Sequence, residues 1–169
     1  MEAQHTAVEP LTRDRAEALL EGSDAFTRRF GYRVADGYLA FPEALPATVQ
    51  ALRDGMNPDW FGYLIIDPTT TMVIGLGGFT GPPTDGSVEI GYSIAPAHRG
   101  RGHATEAARR WLDIATDRGV TLVCAHTLAE ENPSTAVLRR LGFRRTAELV
   151  DPEVGAVWRW ELTTGTKHP

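Results

Sequence analysis

The chain has 169 residues, 42% of them hydrophobic, and a formal net charge of −5, which suits one ordinary domain over residues 1–169 with a substantial core. No run of ~18 apolar residues appears, so no membrane span is expected; the first six residues lack a secretory pattern, and Cys124 has no second cysteine to pair with, which makes the cytoplasm the expected compartment. The arginines fall in short clusters (Arg99 with Arg101, Arg109-Arg110, Arg139-Arg140, Arg144-Arg145), which argues against nucleic acid as a partner and leaves room for one anionic ligand.

Thr6–Glu9 reads as a short first strand. Thr12 is placed to cap a helix through Leu20 that stops at Gly22. Ser23–Leu45 holds Phe26, Phe30, Tyr32, Tyr38 and Phe41, shows little regular periodicity, and is broken by Gly31, Gly37 and Pro42. Pro46–Met56 reads as a helix with Val49 and Leu52 on one face. An antiparallel meander is expected from Trp60–Ile66, Met72–Thr80 and Ser87–Ala95, joined by turns at Asp67-Pro68 and Gly81–Gly86. Three glycines in its second member point to a thinned or bulged strand. From about Gly102 to Arg118, apolar residues at 104, 107, 108, 111, 112 and 115 form a helical stripe ended by Gly119. Val120–Thr127 has almost no polar alternation before Ala125, as in a strand covered on both faces. Asn132 then Pro133 open another helix, closed by Gly142. Phe143–Leu149 and Val154–Leu162 pair across Asp151-Pro152.

The most informative stretch is Ser87–Ala107, where a strand runs into a glycine-studded basic turn that opens a helix. Glycine backbone freedom and the unpaired N–H groups of a helix start can together cradle a phosphate. A P-loop is excluded because no Gly-Lys occurs. A dinucleotide fingerprint fails as well: Thr105 stands where its third glycine belongs, and the next strand ends near His126-Thr127 without a carboxylate. The plainer reading is an ordinary strand–helix turn. Alternation puts Glu89, Gly91 and Ser93 on one face of their strand and Ile90 and Tyr92 on the other. A mid-strand carboxylate in a covered sheet is costly unless paired or protonated. Cys124 and His126 share a strand face, but two ligands do not make a zinc site, and core packing is the expected role of both.

Arg99-x-x-Gly102-x-Ala104 resembles the Q/R-x-x-G-x-G/A signature of the GNAT superfamily of acyl-CoA-dependent N-acetyltransferases. Glu131-Asn-Pro-Ser-Thr-Ala-Val-Leu-Arg-Arg-Leu-Gly-Phe143 resembles that family's second block, and the likeness runs from about Trp60 to Thr146. In style it is similar to the branch containing ribosomal-protein N-terminal acetyltransferases and some antibiotic- and polyamine-modifying enzymes. The resemblance implies an α/β fold: a mixed, mostly antiparallel central sheet with helices on both faces. Its parallel strands Ser87–Ala95 and Val120–Thr127 would splay apart. It further implies that backbone amides of Arg99, Gly100, Arg101, Gly102, His103, Ala104 and Thr105 hold the coenzyme A pyrophosphate, with the His103 side chain a bystander. Backbone groups around Ile94 and Ala95 would hold the pantetheine arm, and Asn132 is counted with the cofactor residues.

The implied reaction moves an acetyl group from acetyl-CoA, without a metal, to a primary amine of a protein N-terminus or a small molecule. Glu89 is then either a general base or a structural carboxylate. Ser134 either meets the leaving thiolate or bonds at its helix start; the tyrosine that many members carry five residues before the closing Phe is Leu138 here. One departure stands out: Pro133 alone separates Asn132 from Ser134, where two residues are common. The alternative to an enzyme is a CoA-binding module without catalysis. Acceptor choice is expected in Ser23–Leu45 and Gly81–Gly86, with Tyr32, Tyr38 and Phe41 facing a cationic amine. Those aromatics could instead pack the second face of the sheet or form the contact of a homodimer.

Overall fold

The computed structural model describes residues 6–39 and 42–165. Its elements in chain order are β1 (Ala7–Pro10), α1 (Arg13–Glu21), α2 (Ser23–Phe30), β2 (Arg33–Val34), α3 (Ala44–Arg53), β3 (Gly62–Asp67), β4 (Met72–Phe79), β5 (Ser87–Ile94), α4 (His103–Asp117), β6 (Leu122–Leu128), α5 (Pro133–Leu141), β7 (Arg144–Asp151) and β8 (Gly155–Thr163). One sheet follows the order β1-β3-β4-β5-β6-β8-β7, and β2 pairs β4 off that path. All neighbours on the path are antiparallel except β5 and β6. No helix among the described residues is long and apolar enough to cross a membrane.

Two apolar clusters sandwich the sheet. Under α4 and α5 lie Ile65, Ile74, Val88, Ile90, Trp111, Val123, Leu138 and Trp160. On the opposite face α1, α2 and α3 cover Leu64, Ile66 and Val73, with Leu11, Leu19, Phe26 and Val49 between them. This second cover serves the β1–β4 half. Glu89, Gly91 and Ser93 of β5, with Cys124 and His126 of β6, belong to neither cluster.

The segment after Gly22 is more regular than its sequence suggests. Gly22 closes α1 and also opens α2, whose far end is Gly31 in the left-handed region at φ +79°. Eight residues between two glycines are too few to show a period, yet they seat Phe26 at 0% exposure. Tyr32 stacks on Phe26 at 6.4 Å, and its hydroxyl donates to Glu9 Oε2 at 3.0 Å. Tyr32 is therefore tied to β1 and the covered face. Phe41 lies outside the described residues.

The β4 glycines act through close approach. A Cβ on Gly75 would stand 2.3 Å from Ser93 O, and one on Gly77 would stand 2.6 Å from the Trp111 ring and 2.7 Å from Gly91 O. Glycine there lets β5 and α4 sit tight against β4. The expected bulge is present, because Ile65 pairs Gly75 while Ile66 pairs Val73, leaving Ile74 extra.

His103, the first residue of α4, points inward at 2% exposure, with Nδ1 2.8 Å from Thr6 Oγ1. Its pKa is lowered: burial disfavours the imidazolium and outweighs the pull of Asp67 and Glu106. The unfolded chain then binds a proton below the ordinary value of 6.5 that the folded chain refuses. Stability is untouched above that value and is lost as pH falls from it toward the folded value. Melting temperatures taken from about pH 7 down to about pH 5 should fall in the wild type, and His103→Leu should flatten part of that slope.

Candidate active site

Backbone pairing between β5 and β6 lasts three residues, Ser87 with Leu122, Val88 with Val123 and Glu89 with Cys124. Beyond Glu89, β5 continues only along β4 to Ile94, and β6 continues only along β8. The strands fork. Thr80 N–H donates to Glu89 O and Ala95 N–H donates to Ile74 O, so the odd-numbered backbone groups of β5 face β4. By alternation the even-numbered ones, Ile90, Tyr92 and Ile94, face the opening. That edge can add hydrogen bonds to an extended amide-bearing chain.

At the far end of β5 the chain turns through Pro96–His98 and enters α4. Gly100 and Gly102 hold φ +76° and +86°, conformations that side chains rarely adopt, and a Cβ on either would meet nothing within 4 Å. Their role is conformational, and the space beside them is open. Gly102 caps α4 without any side-chain bond, so the N–H groups of His103, Ala104 and Thr105 keep no partner inside the helix. Arg99 and Arg101 are exposed beside them. The Arg99 Nε–H folds back to donate to Ile94 O at 2.9 Å, pinning the turn to the strand. Free donors, a helix dipole and two guanidinium groups fit a pyrophosphate. Ile94 borders the opening, whereas the N–H of Ala95 is engaged within the sheet.

The other wall comes from α5. Asn132 caps it by accepting from Thr135 N–H at 3.0 Å, and Thr135 Oγ1 accepts from Asn132 N–H at 3.0 Å. Asn132 thus has a structural occupation. Ser134 is half-buried in the first turn, and its carbonyl accepts a 3.4 Å bond from the Tyr92 hydroxyl across the fork. Burial pushes the Tyr92 phenol up to about 12, so it stays a donor. Leu138 is 1% exposed inside the cluster around Trp160, so a tyrosine at that position would be overpacked.

Glu89 differs from its sequence-based picture in one respect: the α1–α3 cover on its face of the sheet does not extend over it. Its carboxylate is paired, as a mid-strand carboxylate needs to be, with Oε2 2.9 Å from His126 Nδ1. Cys124 is buried at 5% exposure, whereas His126, expected to pack in the core, faces solvent at the root of the fork. The sequence placed Cys124 and His126 on one face; only the parallel register reveals that Glu89 stands beside them. Tyr92 was likewise unremarkable in sequence, since its role depends on α5 returning across the opening. In the segment expected to set acceptor choice, Tyr38 O accepts from Ser93 Oγ–H at 2.9 Å, and a Cβ on Gly37 would touch Pro96 at 3.0 Å. Gly81–Gly86 is anchored elsewhere, with Gly86 O accepting from Thr121 N–H at 2.9 Å.

Residues 6–144 match the family model for the acetyltransferase (GNAT) domain. An uncharacterised N-acetyltransferase of Bacillus subtilis, YjdG, is 29% identical over 109 residues, 61% of this chain and 63% of that protein. The chain spans less than two thirds of the length of the curated relatives it matches, 63%, 52% and 41%. Among solved structures, the ribosomal-protein-S5-alanine acetyltransferase from Vibrio fischeri superposes with a TM-score of 0.69 at 16% identity, covering 100% of this chain and 98% of that one. Mycobacterium smegmatis RimJ, in complex with CoA-disulfide, gives 0.66 at 20% identity over 94% and 81%. Both share this fold.

Proposed function

The chain belongs to the GNAT acetyltransferase family, and on that premise we propose that it transfers an acetyl group from acetyl-CoA directly to a primary amine. The observation that carries the reading is the fork, open from Glu89 onward, with the uncapped start of α4 at one mouth. The pyrophosphate of coenzyme A docks on the amides of Gly102 through Thr105, flanked by Arg99, Gly100 and Arg101. The pantetheine arm runs along the free edge of β5 at Ile90, Tyr92 and Ile94, which brings the thioester to the root of the fork.

Rate enhancement comes chiefly from holding amine and thioester together and from backbone N–H groups that polarise the carbonyl. Glu89 marks the acceptor side. Ser134 and Tyr92 mark the side where the thiolate leaves; a thiolate is a tolerable leaving group, so Ser134→Ala should cost no more than about tenfold in kcat. The acceptor is a peptide N-terminus or a small-molecule amine; the alanine-acetylating fold neighbour named above supports the first.

A thiol-release screen of acetyl-CoA against spermidine, kanamycin and a peptide with a free N-terminal alanine tests this. Turnover with any of them supports the enzyme. Tight CoA binding by calorimetry with no release across the panel would replace it by a CoA-binding module.

A further inference from the structure

Where the backbone ladder between β5 and β6 stops, a side-chain bond continues it. Glu89 and Cys124 are the last paired residues. Two residues further along β6, His126 Nδ1 meets Glu89 Oε2 at 2.9 Å. Both side chains remain in reach of solvent, His126 at 28% exposure and Glu89 at 38%. The second ring nitrogen, Nε2, has no hydrogen-bond partner among the described residues. Other charged and titratable groups face the ring as well. Cys124 precedes it on β6, and Arg159 is its cross-strand partner on β8. Arg159 is occupied by Glu161, which accepts from its Nε–H at 3.0 Å, and Glu161 stands opposite Cys124.

We infer that His126 is the base that takes the acceptor's proton, and that Glu89 is a positioning residue holding the imidazole with Nδ1 protonated and Nε2 aimed outward. This rests on the acetyl-transfer reading above. A base has to present a free lone pair to the proton it takes; the Glu89 carboxylate is engaged by His126 Nδ1, whereas Nε2 is open. A carboxylate on Nδ1–H selects the tautomer whose free lone pair is on Nε2 and stabilises the imidazolium once formed.

The acceptor enters as an ammonium ion and gives one proton to water. The amine lone pair then forms the N–C bond, the C–S bond breaks, and sulfur leaves with the bonding pair. The second N–H proton passes to His126 Nε2 and on to solvent, while the thiolate takes up one proton. One proton is released per turnover.

The same amine panel, run with acetyl-CoA from about pH 5.5 to about pH 9.5, tests the assignment. His126→Gln keeps a hydrogen-bonding group beside Glu89 but supplies no base. It should lower kcat at least ~100-fold near neutrality, with a smaller loss at high pH, and leave the CoA dissociation constant within about twofold. Glu89→Gln should cost less, roughly tenfold, and Glu89→Asp should recover part of it. In the wild type, nitrogen chemical shifts of the His126 ring should report the Nδ1–H tautomer, and Glu89→Gln should abolish that preference. An active wild type whose His126→Gln variant stays within twofold at every pH overturns the assignment, as does an Nε2–H tautomer. A wild type inactive on the whole panel defeats the acetyl-transfer reading itself, and the base assignment falls with it.

Discussion

Gly102→Val should weaken acetyl-CoA binding roughly a hundredfold while leaving the chain folded. Gly102 sits at φ +86°, where a β-branched side chain is strained by about 1–2 kcal/mol. No atom lies within 4 Å of the position its Cβ would take, so the cost is conformational rather than a clash. The strain lowers the melting temperature by a few degrees, on the order of 2–4 °C per kcal/mol for a chain of this size. It is relieved as the backbone shifts, and the N–H groups of His103 and Ala104 swing off the pyrophosphate. Two hydrogen bonds to a charged group, worth about 1.5–3 kcal/mol each, are then lost, which is enough for a hundredfold change.

Gly119 provides the control. It too is left-handed, at φ +81°, with open space at its Cβ, but it lies at the far end of α4. Gly119→Val should reproduce the drop in melting temperature and leave the calorimetric affinity unchanged. Equal affinities for both variants would remove the cradle from the turn at Gly102.

How much of this was legible in the sequence depended on the range of the signal. Caps and stripes are local, so the Thr12 cap, the Asn132-Pro133 start and the apolar face of α4 are where the residues put them. The fork was legible only through family resemblance, because residues 87–95 and 120–127 say nothing by themselves about where their pairing stops. α2 was missed for lack of length: Ser23–Phe30 is bracketed by glycines and holds only two buried positions, Ala25 and Phe26. Of the aromatics read as an acceptor wall or as packing for the second face, Tyr32 bonds to Glu9 and stacks on Phe26, a partnership that no local pattern announces.

The pairing of Glu89 with His126 needed the register of two strands 37 residues apart in sequence. Composition and spacing cannot supply that. The sequence also placed Glu89 in the middle of a strand in a covered sheet. The three-helix cover ends at β4, and that boundary is set by how far α1 to α3 reach, a property of packing that no single strand encodes.

Trp111→Ala should be clearly destabilising, and its effect should reach the site. Trp111 is fully buried, stacks on Tyr92 at 6.5 Å, tilts against Tyr63 at 6.2 Å, and fills the space that Gly77 leaves by having no Cβ. Large aromatic-to-alanine changes in a core cost about 3–5 kcal/mol. The indole Nε1–H is buried without a hydrogen-bond partner among the described residues, and losing an unsatisfied donor returns about 1–3 kcal/mol. The net loss should therefore be about 2 kcal/mol, roughly 4–8 °C in melting temperature.

Trp111→Phe separates the two contributions, because it keeps most of the ring and removes the orphan donor; it should cost about 1 kcal/mol or less. In the alanine variant the void lies directly behind Tyr92, the residue whose hydroxyl spans the fork to Ser134. A loosened Tyr92 should raise the acetyl-CoA dissociation constant several-fold at temperatures where the protein is still folded, while Trp111→Phe leaves it unchanged. If Trp111→Ala lost stability but bound acetyl-CoA as tightly as the wild type, the pantetheine channel would not depend on the β5 face that Trp111 supports.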